Sequence, residues 1–167
     1  MVKNNLVKRV ATIYYPDERL ACGNEKNIKE AIEKVIPILR EITGYKIRLK
    51  VATDEMIEKS VLMILTSDAF LVGKNKIFLS PLHVDNIVEI LLHELAHVEW
   101  FNRFGYTKLP GKLVTKELLG TDIERVKYSI MNRFIQEVGA DYLVFKWGQD
   151  VFLQMMATES KYLKEHA

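Results

Sequence analysis

The sequence of 167 residues predicts a small α+β domain, a mixed sheet followed by long helices. Three observations predict it. Short β-branched and alternating segments fill the first half of the chain. Two apolar stretches of helical length, 85–104 and 121–147, fill the second. Turn residues separate these segments, and no internal repeat or low-complexity tract interrupts them. Strands grouped ahead of helices mark an α+β rather than an alternating α/β architecture. The length suits one domain, 1–167, that buries its core without disulfides.

Lys8 to Tyr15 (KRVATIYY) is β-branched and aromatic, which predicts a strand stopped by Pro16-Asp17. Asn27 to Thr43 places Ile28, Ala31, Ile32, Val35, Leu39 and Ile42 at helical spacing. Asn27 with Glu30 reads as its cap, Gly44 as its stop, and Pro37 as a kink or break. From Tyr45 to Ala52, Ile47, Leu49 and Val51 alternate with Lys46, Arg48 and Lys50, a half-buried strand with a solvated basic face. The apolar run Val61 to Thr66 predicts another strand. Phe70-Leu71-Val72 and Lys76-Ile77-Phe78-Leu79 flank Gly73-Lys74-Asn75 and predict a hairpin, which Ser80-Pro81 ends.

A helix is expected from Asp85 to Phe104, apolar nearly all round and therefore buried, with Gly105 as terminator. Tyr106 to Gly120 reads mostly as loop. Thr121-Asp122-Ile123-Glu124 is a capping box for a long helix to Trp147, closed by Gly148. Asp150 caps a last helix, Val151 to Leu163, whose Phe152, Met155, Met156 and Tyr162 face is expected to pack into the core.

Composition narrows the function classes. The apolar fraction is 49% and the charged fraction 28%, an ordinary globular balance. A net charge of +2 without a basic block gives no nucleic-acid surface. No apolar stretch is long enough to span a membrane, and the N-terminal residues lack the apolar core of a signal peptide. The single cysteine, Cys22, fits a reducing compartment, so a cytoplasmic location is expected.

The residues that carry chemistry are His93-Glu94-Leu95-Ala96-His97, inside the apolar helix. Two histidines four apart share one helix face, one turn apart, so both imidazoles can reach one metal ion. Glu94 can reach a water beside that ion. This is the spacing of a zinc-hydrolase helix. A catalytic zinc takes three protein ligands and leaves a fourth position open. The only other histidines are His83 and His166, and the tract after His97 lacks the Gly and third His of the metzincin pattern. A carboxylate from a second helix is the better third ligand.

On a wheel, Val126, Ile130, Phe134, Val138, Val144 and Phe145 of the long helix share a sector roughly 120° wide. Glu137 and Asp141 fall within it, while Arg125, Asn132, Gln136 and Lys146 lie opposite. Carboxylates pointing into a core need compensation, which a metal and its histidines would give. Glu137 is therefore assigned as third ligand. Asp141, one turn on, could accept the outer N–H of a ligand histidine and fix its tautomer.

His93–His97 followed by Glu137-Val138-Gly139-Ala140-Asp141 (E-x-x-A-D) resembles the gluzincin metallopeptidases. The nearest likeness is to the soluble catalytic core of the CAAX-prenyl-protease and heat-shock-protease kind, and to the single-domain minigluzincins. The resemblance covers about 70–148. It implies one zinc per chain held by His93, His97 and Glu137, Glu94 as general base, and Asp141 supporting a ligand histidine. It also implies a substrate-binding strand with a free edge just before the active-site helix, here Ile77, Phe78 and Leu79. The chain then divides into 1–68 without a matching motif, a metal-site core 69–148, and a C-terminal helix 149–167.

The expected function is a zinc metalloendopeptidase hydrolysing peptide or protein substrates, a zinc-activated water attacking the carbonyl and Glu94 taking its proton. Tyr106, Tyr128, Tyr142, Arg133 and His83 are candidates for steadying the oxyanion, and the sequence does not choose among them. The alternative is a catalytically silent or latent zinc-stabilised binding domain. In the latent form the C-terminal segment would cover the cleft. A DNA-associated metalloprotease of the SprT-like sort is disfavoured by the missing third histidine and the absence of a basic patch or cysteine zinc ribbon.

Overall fold

The computed structural model describes residues 9–80, 86–104 and 122–166, with residues 122–132, 155, 159, 160 and 162 described by backbone alone. Strand β1, Val10–Tyr15, runs through the middle of the fold. It pairs in parallel with β2 (Lys46–Val51) on one side and β4 (Lys76–Leu79) on the other. The expected hairpin is present: β3 (Ala69–Leu71) pairs antiparallel with β4, and Gly73 in the turn has φ +79°. The sheet order is β2-β1-β4-β3. Ala11, Ile13 and Tyr15 face one side and Tyr14 the other, and all four are buried. A strand with parallel neighbours is typically covered on both faces in this way.

The helices are α1 (Glu18–Ala21), α2 (Glu25–Thr43), α3 (Asp54–Lys59), α4 (Val61–Thr66), α5 (Ile87–Phe104) and α6 (Asp122–His166). On one face of the sheet, Ile28, Ile32 and Leu39 of α2 and Leu91, Leu95 and Val98 of α5 pack against Ala11, Ile13, Ile47, Ile77 and Leu79. On the other face, Phe70 and Phe78 stack at 5.1 Å beside Tyr14, Ala52 and Ile64. The architecture is the α+β class expected, a small mixed sheet between helices. Among the described residues, no helix is long and apolar enough to cross a membrane.

Several expected elements change. Val61 to Thr66 is helix α4, not a strand. Only Ile64 of that run is buried, while Leu62 is 78% exposed, so the segment offers one inward residue rather than an alternating face. Helix α2 starts at Glu25 behind Asn24, leaving Asn27 and Glu30 inside it. Pro37 does not break it: Glu33 and Pro37 are both exposed, so the carbonyl that proline leaves unpaired meets water. Gly44 ends the helix as expected, at φ +70° with its N–H donating to the Arg40 carbonyl. The short helices α1 and α3, capped by Asp17 and Thr53, were not expected.

Helix α6 runs unbroken for 45 residues past Gly148 and Asp150. One exposed glycine costs a helix only about 1 kcal/mol, too little to stop it. Phe152 and Met156 are 59% and 50% exposed, so the C-terminal face does not pack into the core as expected. The expected boundaries at Pro81, Asp85, Gly105 and Thr121, and the loop 106–120, lie outside the described residues.

A buried polar cluster ties α5 to the start of two strands. Glu99 is 3% exposed. Its carboxylate accepts from the Tyr45 hydroxyl at 2.5 Å, Arg103 Nε at 2.8 Å and Arg9 at 3.2 Å. Asn102 donates to the Tyr45 oxygen at 3.1 Å. Burial opposes ionisation of Glu99, but hydrogen bonds from Tyr45 and Arg103 and the charges of Arg9 and Arg103 outweigh it. The net effect holds the carboxyl below its usual 4.5. Burial, and then the neighbouring Glu99, push the Tyr45 phenol well above its ordinary value.

Tyr45→Phe removes a donor from a buried carboxylate and is expected to cost about 1–3 kcal/mol in urea unfolding at neutral pH. The depressed Glu99 pKa makes its ionised form a stabilising one above about pH 4.5, a contribution lost as pH falls below that value. Glu99→Gln should therefore flatten the acid limb of the stability profile relative to the parent.

Candidate metal centre

The centre sits where α5 and α6 cross. Ala96 and Trp100 of α5 pack against Ala140, Leu143, Val144 and Trp147 of α6. Gly139 lies under the Trp100 indole: a Cβ built there would meet ring atoms at 2.5 Å. Small residues thus let the two backbones approach. The packed side of α6 is not the apolar stripe read from the sequence. Phe134, Val138 and Phe145 are 65%, 49% and 67% exposed, whereas Gly139, Ala140 and Leu143 are buried. Glu137 lies at the edge of the contact, its side chain 47% exposed, and not in the middle of a core stripe.

From that edge Glu137 reaches both histidines. His93 Nε2 and His97 Nε2 are 3.1 Å apart. Glu137 Oε2 lies 3.2 Å from the first and 3.5 Å from the second. Ligand atoms at 2.0–2.2 Å from a tetrahedral ion sit roughly 3.3–3.6 Å from one another, so the observed triangle matches within about 0.2 Å. His93, His97 and Glu137 form a group that could hold a metal ion. The outer nitrogen of His93, Nδ1, is 3.4 Å from Asp141 Oδ1. That places Asp141 where it would accept the ring N–H and leave Nε2 free to ligate. Burial lowers the His97 pKa, opposed by Glu137 and helped by His93, and the net shift favours the neutral imidazole that binds metal.

Glu94, the residue between the histidine turns, is 9% exposed. Burial, and then the negative charge of Glu137, push its carboxyl up to about 7. It lines a cavity of about 310 Å³ together with Asp68, Ala69, Glu89, Ile90 and His93. The cavity therefore joins the histidine helix to the start of β3.

The expected substrate strand is not a sheet edge. Ile77, Phe78 and Leu79 belong to β4, which β1 and β3 pair on both sides, and all three are fully buried. A strand hydrogen-bonded on both sides has no edge to offer. Within the described sheet, the free edge on this side belongs to β3, Ala69–Leu71. The hairpin was legible, but which of its strands lay outermost depended on β1 pairing with β4 across the chain. Of the oxyanion candidates, Tyr142 is 56% exposed and Arg133 is exposed; the Tyr128 side chain, Tyr106 and His83 lie outside the description. Residues 149–166 continue the axis of α6 beyond the ligand turn, so that segment does not fold back over the cleft.

Compared with known proteins, the chain matches no family model, no curated protein and no solved structure.

Gly139→Ala is expected to force the helices apart at Trp100, costing about 1–3 kcal/mol of stability and weakening metal binding. Gly148→Ala, with nothing within 4 Å, should stabilise by about 0.5–1 kcal/mol in the same unfolding assay. Titration with divalent zinc should give about one ion per chain and raise the melting temperature. His97→Ala or Glu137→Ala should remove that rise, and Asp141→Asn should weaken affinity by about 10–100-fold.

Proposed function

We propose that this chain is a zinc-dependent endopeptidase that works in the gluzincin manner. The observation that carries the proposal is the ligand triangle His93–His97–Glu137 with the buried carboxylate of Glu94 beside it. Two imidazoles and one carboxylate are a donor set used by zinc hydrolases and also by iron oxygenases. Glu94 favours hydrolysis. A carboxylate buried on a cavity wall next to the ligands has no structural partner among the described residues to justify it, and a general base needs none. A zinc ion bound there would polarise a substrate carbonyl and acidify a water.

The chain's own residues do the rest. His93, His97 and Glu137 hold the ion, with Asp141 orienting the His93 ring. An extended substrate would add to the β3 edge, its backbone paired with Ala69–Leu71 and its scissile bond led into the cavity between Asp68 and Glu94. Glu94 takes a proton from the attacking water as its oxygen bonds to the carbonyl carbon. The same carboxyl then gives the proton to the amine nitrogen as the C–N bond breaks. The free, exposed Cys22 fits a reducing compartment, and we place the activity in the cytoplasm.

The deciding comparison is between the zinc-loaded parent and Glu94→Gln on a broad peptide library. The variant should keep about one zinc per chain while hydrolysis falls by about 10²–10⁴-fold. Equal cleavage by both would overturn the mechanism.

A further inference from the structure

Helix α6 is 45 residues long, roughly 68 Å at 1.5 Å per residue. It packs on α5 through Gly139, Ala140, Leu143, Val144 and Trp147. Among the described residues, its opposite side is apolar and open. Val138 is 49% exposed, Tyr142 56%, Phe145 67%, Phe152 59%, Met156 50% and Leu163 63%. Large contiguous apolar surface left open among the described residues marks an interaction face.

The spacing says what kind of partner. Positions 135, 138, 142, 145, 149, 152, 156, 159 and 163 step alternately by three and four, and all but Gln149 and Glu159 carry apolar or aromatic side chains. Steps of three and four average 3.5 residues, the repeat of a coiled-coil seam rather than of a globular helix face. In heptad terms Ile135, Tyr142, Gln149, Met156 and Leu163 are a positions, and Val138, Phe145, Phe152 and Glu159 are d positions. The residues that pack on α5 fall mainly at b, c and f, away from the seam.

We propose that this face is a homodimer interface, in which two copies of the chain pair their α6 helices in parallel and in register. Three features select a second copy in this orientation. A heptad seam is complementary to another of the same repeat, which a twofold pair supplies. Asp141 falls at g and Lys146 at the following e, the two positions that meet across a parallel pair. Both are exposed and opposite in charge. An antiparallel pair would set g against g and e against e instead. Gln149 is an exposed polar residue in the middle of the seam, and only in-register parallel pairing places the two Gln149 side chains opposite each other as a register-setting layer.

The area is adequate. Taking about 150–250 Å² for a fully exposed aromatic side chain, the open seam residues offer on the order of 600 Å² per copy. Flanking side chains bring this near the roughly 800 Å² per partner of a standard interface. His93 and His97 lie on α5 and Glu137 at a c position, away from the seam, while Asp141 at g borders both the seam and the His93 ring.

Sedimentation of the full zinc-loaded chain tests the proposal. The parent should run at twice 19.4 kDa, and Phe145→Glu with Phe152→Glu should run at 19.4 kDa with helicity and zinc binding retained. Lys146→Asp should weaken the dimer several-fold, more so at low salt. Should the double variant fail to fold, Gln149→Cys in a Cys22→Ser background decides the matter under mild oxidation: parallel, in-register helices give a disulfide-linked dimer. A parent that sediments at 19.4 kDa overturns the proposal, as does a dimer that survives the double substitution. Failure of the Gln149→Cys variant to cross-link while it still sediments as a dimer overturns the parallel arrangement.

Discussion

Gly139 lies under the Trp100 indole, and that contact sets how near α6 comes to α5. The triangle of His93, His97 and Glu137 depends on it. Histidines on one helix can be placed by spacing alone, but a ligand from a second helix needs the interaxial distance to be right within a fraction of an ångström. A methyl group at position 139 would occupy space the indole already fills. Ala96 and Ala140 extend the same close approach along the crossing. The burial of Trp100 Nε1 without a hydrogen-bond partner among the described residues is a cost borne by that packing.

The other side of α5 is held by a different force. Leu91, Leu95 and Val98 bury it against the sheet, and Glu99 fixes its axial position by accepting from Tyr45, Arg103 and Arg9. Hydrophobic burial is not directional, whereas a carboxylate with three donors has one good position. The helix that carries Glu94 and both histidines is thus clamped between an apolar sheet face, a polar anchor and a second helix. Glu94 is left buried with no hydrogen-bond partner of its own among the described residues. Burial, and then the charge of Glu137, raise its pKa to about 7.

Much of this was legible in the sequence, and the exceptions have physical causes. The alternation over 45–52, the hairpin about Gly73 and the helix bearing His93 and His97 follow from local periodicity, and the structure contains them. The run at 61–66 misleads because a short apolar run satisfies a strand and a helix alike, and only the burial of Ile64 alone decides between them. The helical wheel selects Glu137 only if the largest apolar residues of α6 face the core. They face outward, and the packed side is built from Gly139, Ala140 and Leu143. The E-x-x-A-D pattern already contained the small residues that bring Glu137 within reach. The identity of the edge strand was not legible, because it rests on β1 pairing with β4 some sixty residues away. Glu99 was not singled out either, since its donors Arg9 and Tyr45 are distant in sequence.

The parallel placement of β1 between β2 and β4 has a consequence for how the protein forms. Thr12 lies opposite Lys76, so the central pairing cannot close until the chain through β4 exists. Loop closure over that span is slow relative to helix formation, and long-range parallel pairing raises contact order. The candidate ligands His93, His97 and Glu137 lie later still. His93 and His97 follow β4 on α5, and Glu137 follows both on α6. The sheet on which the candidate centre rests therefore draws on both parts of the chain: β1 and β2 come from the segment without a recognisable motif, and β3 and β4 from the segment that leads into the histidine helix.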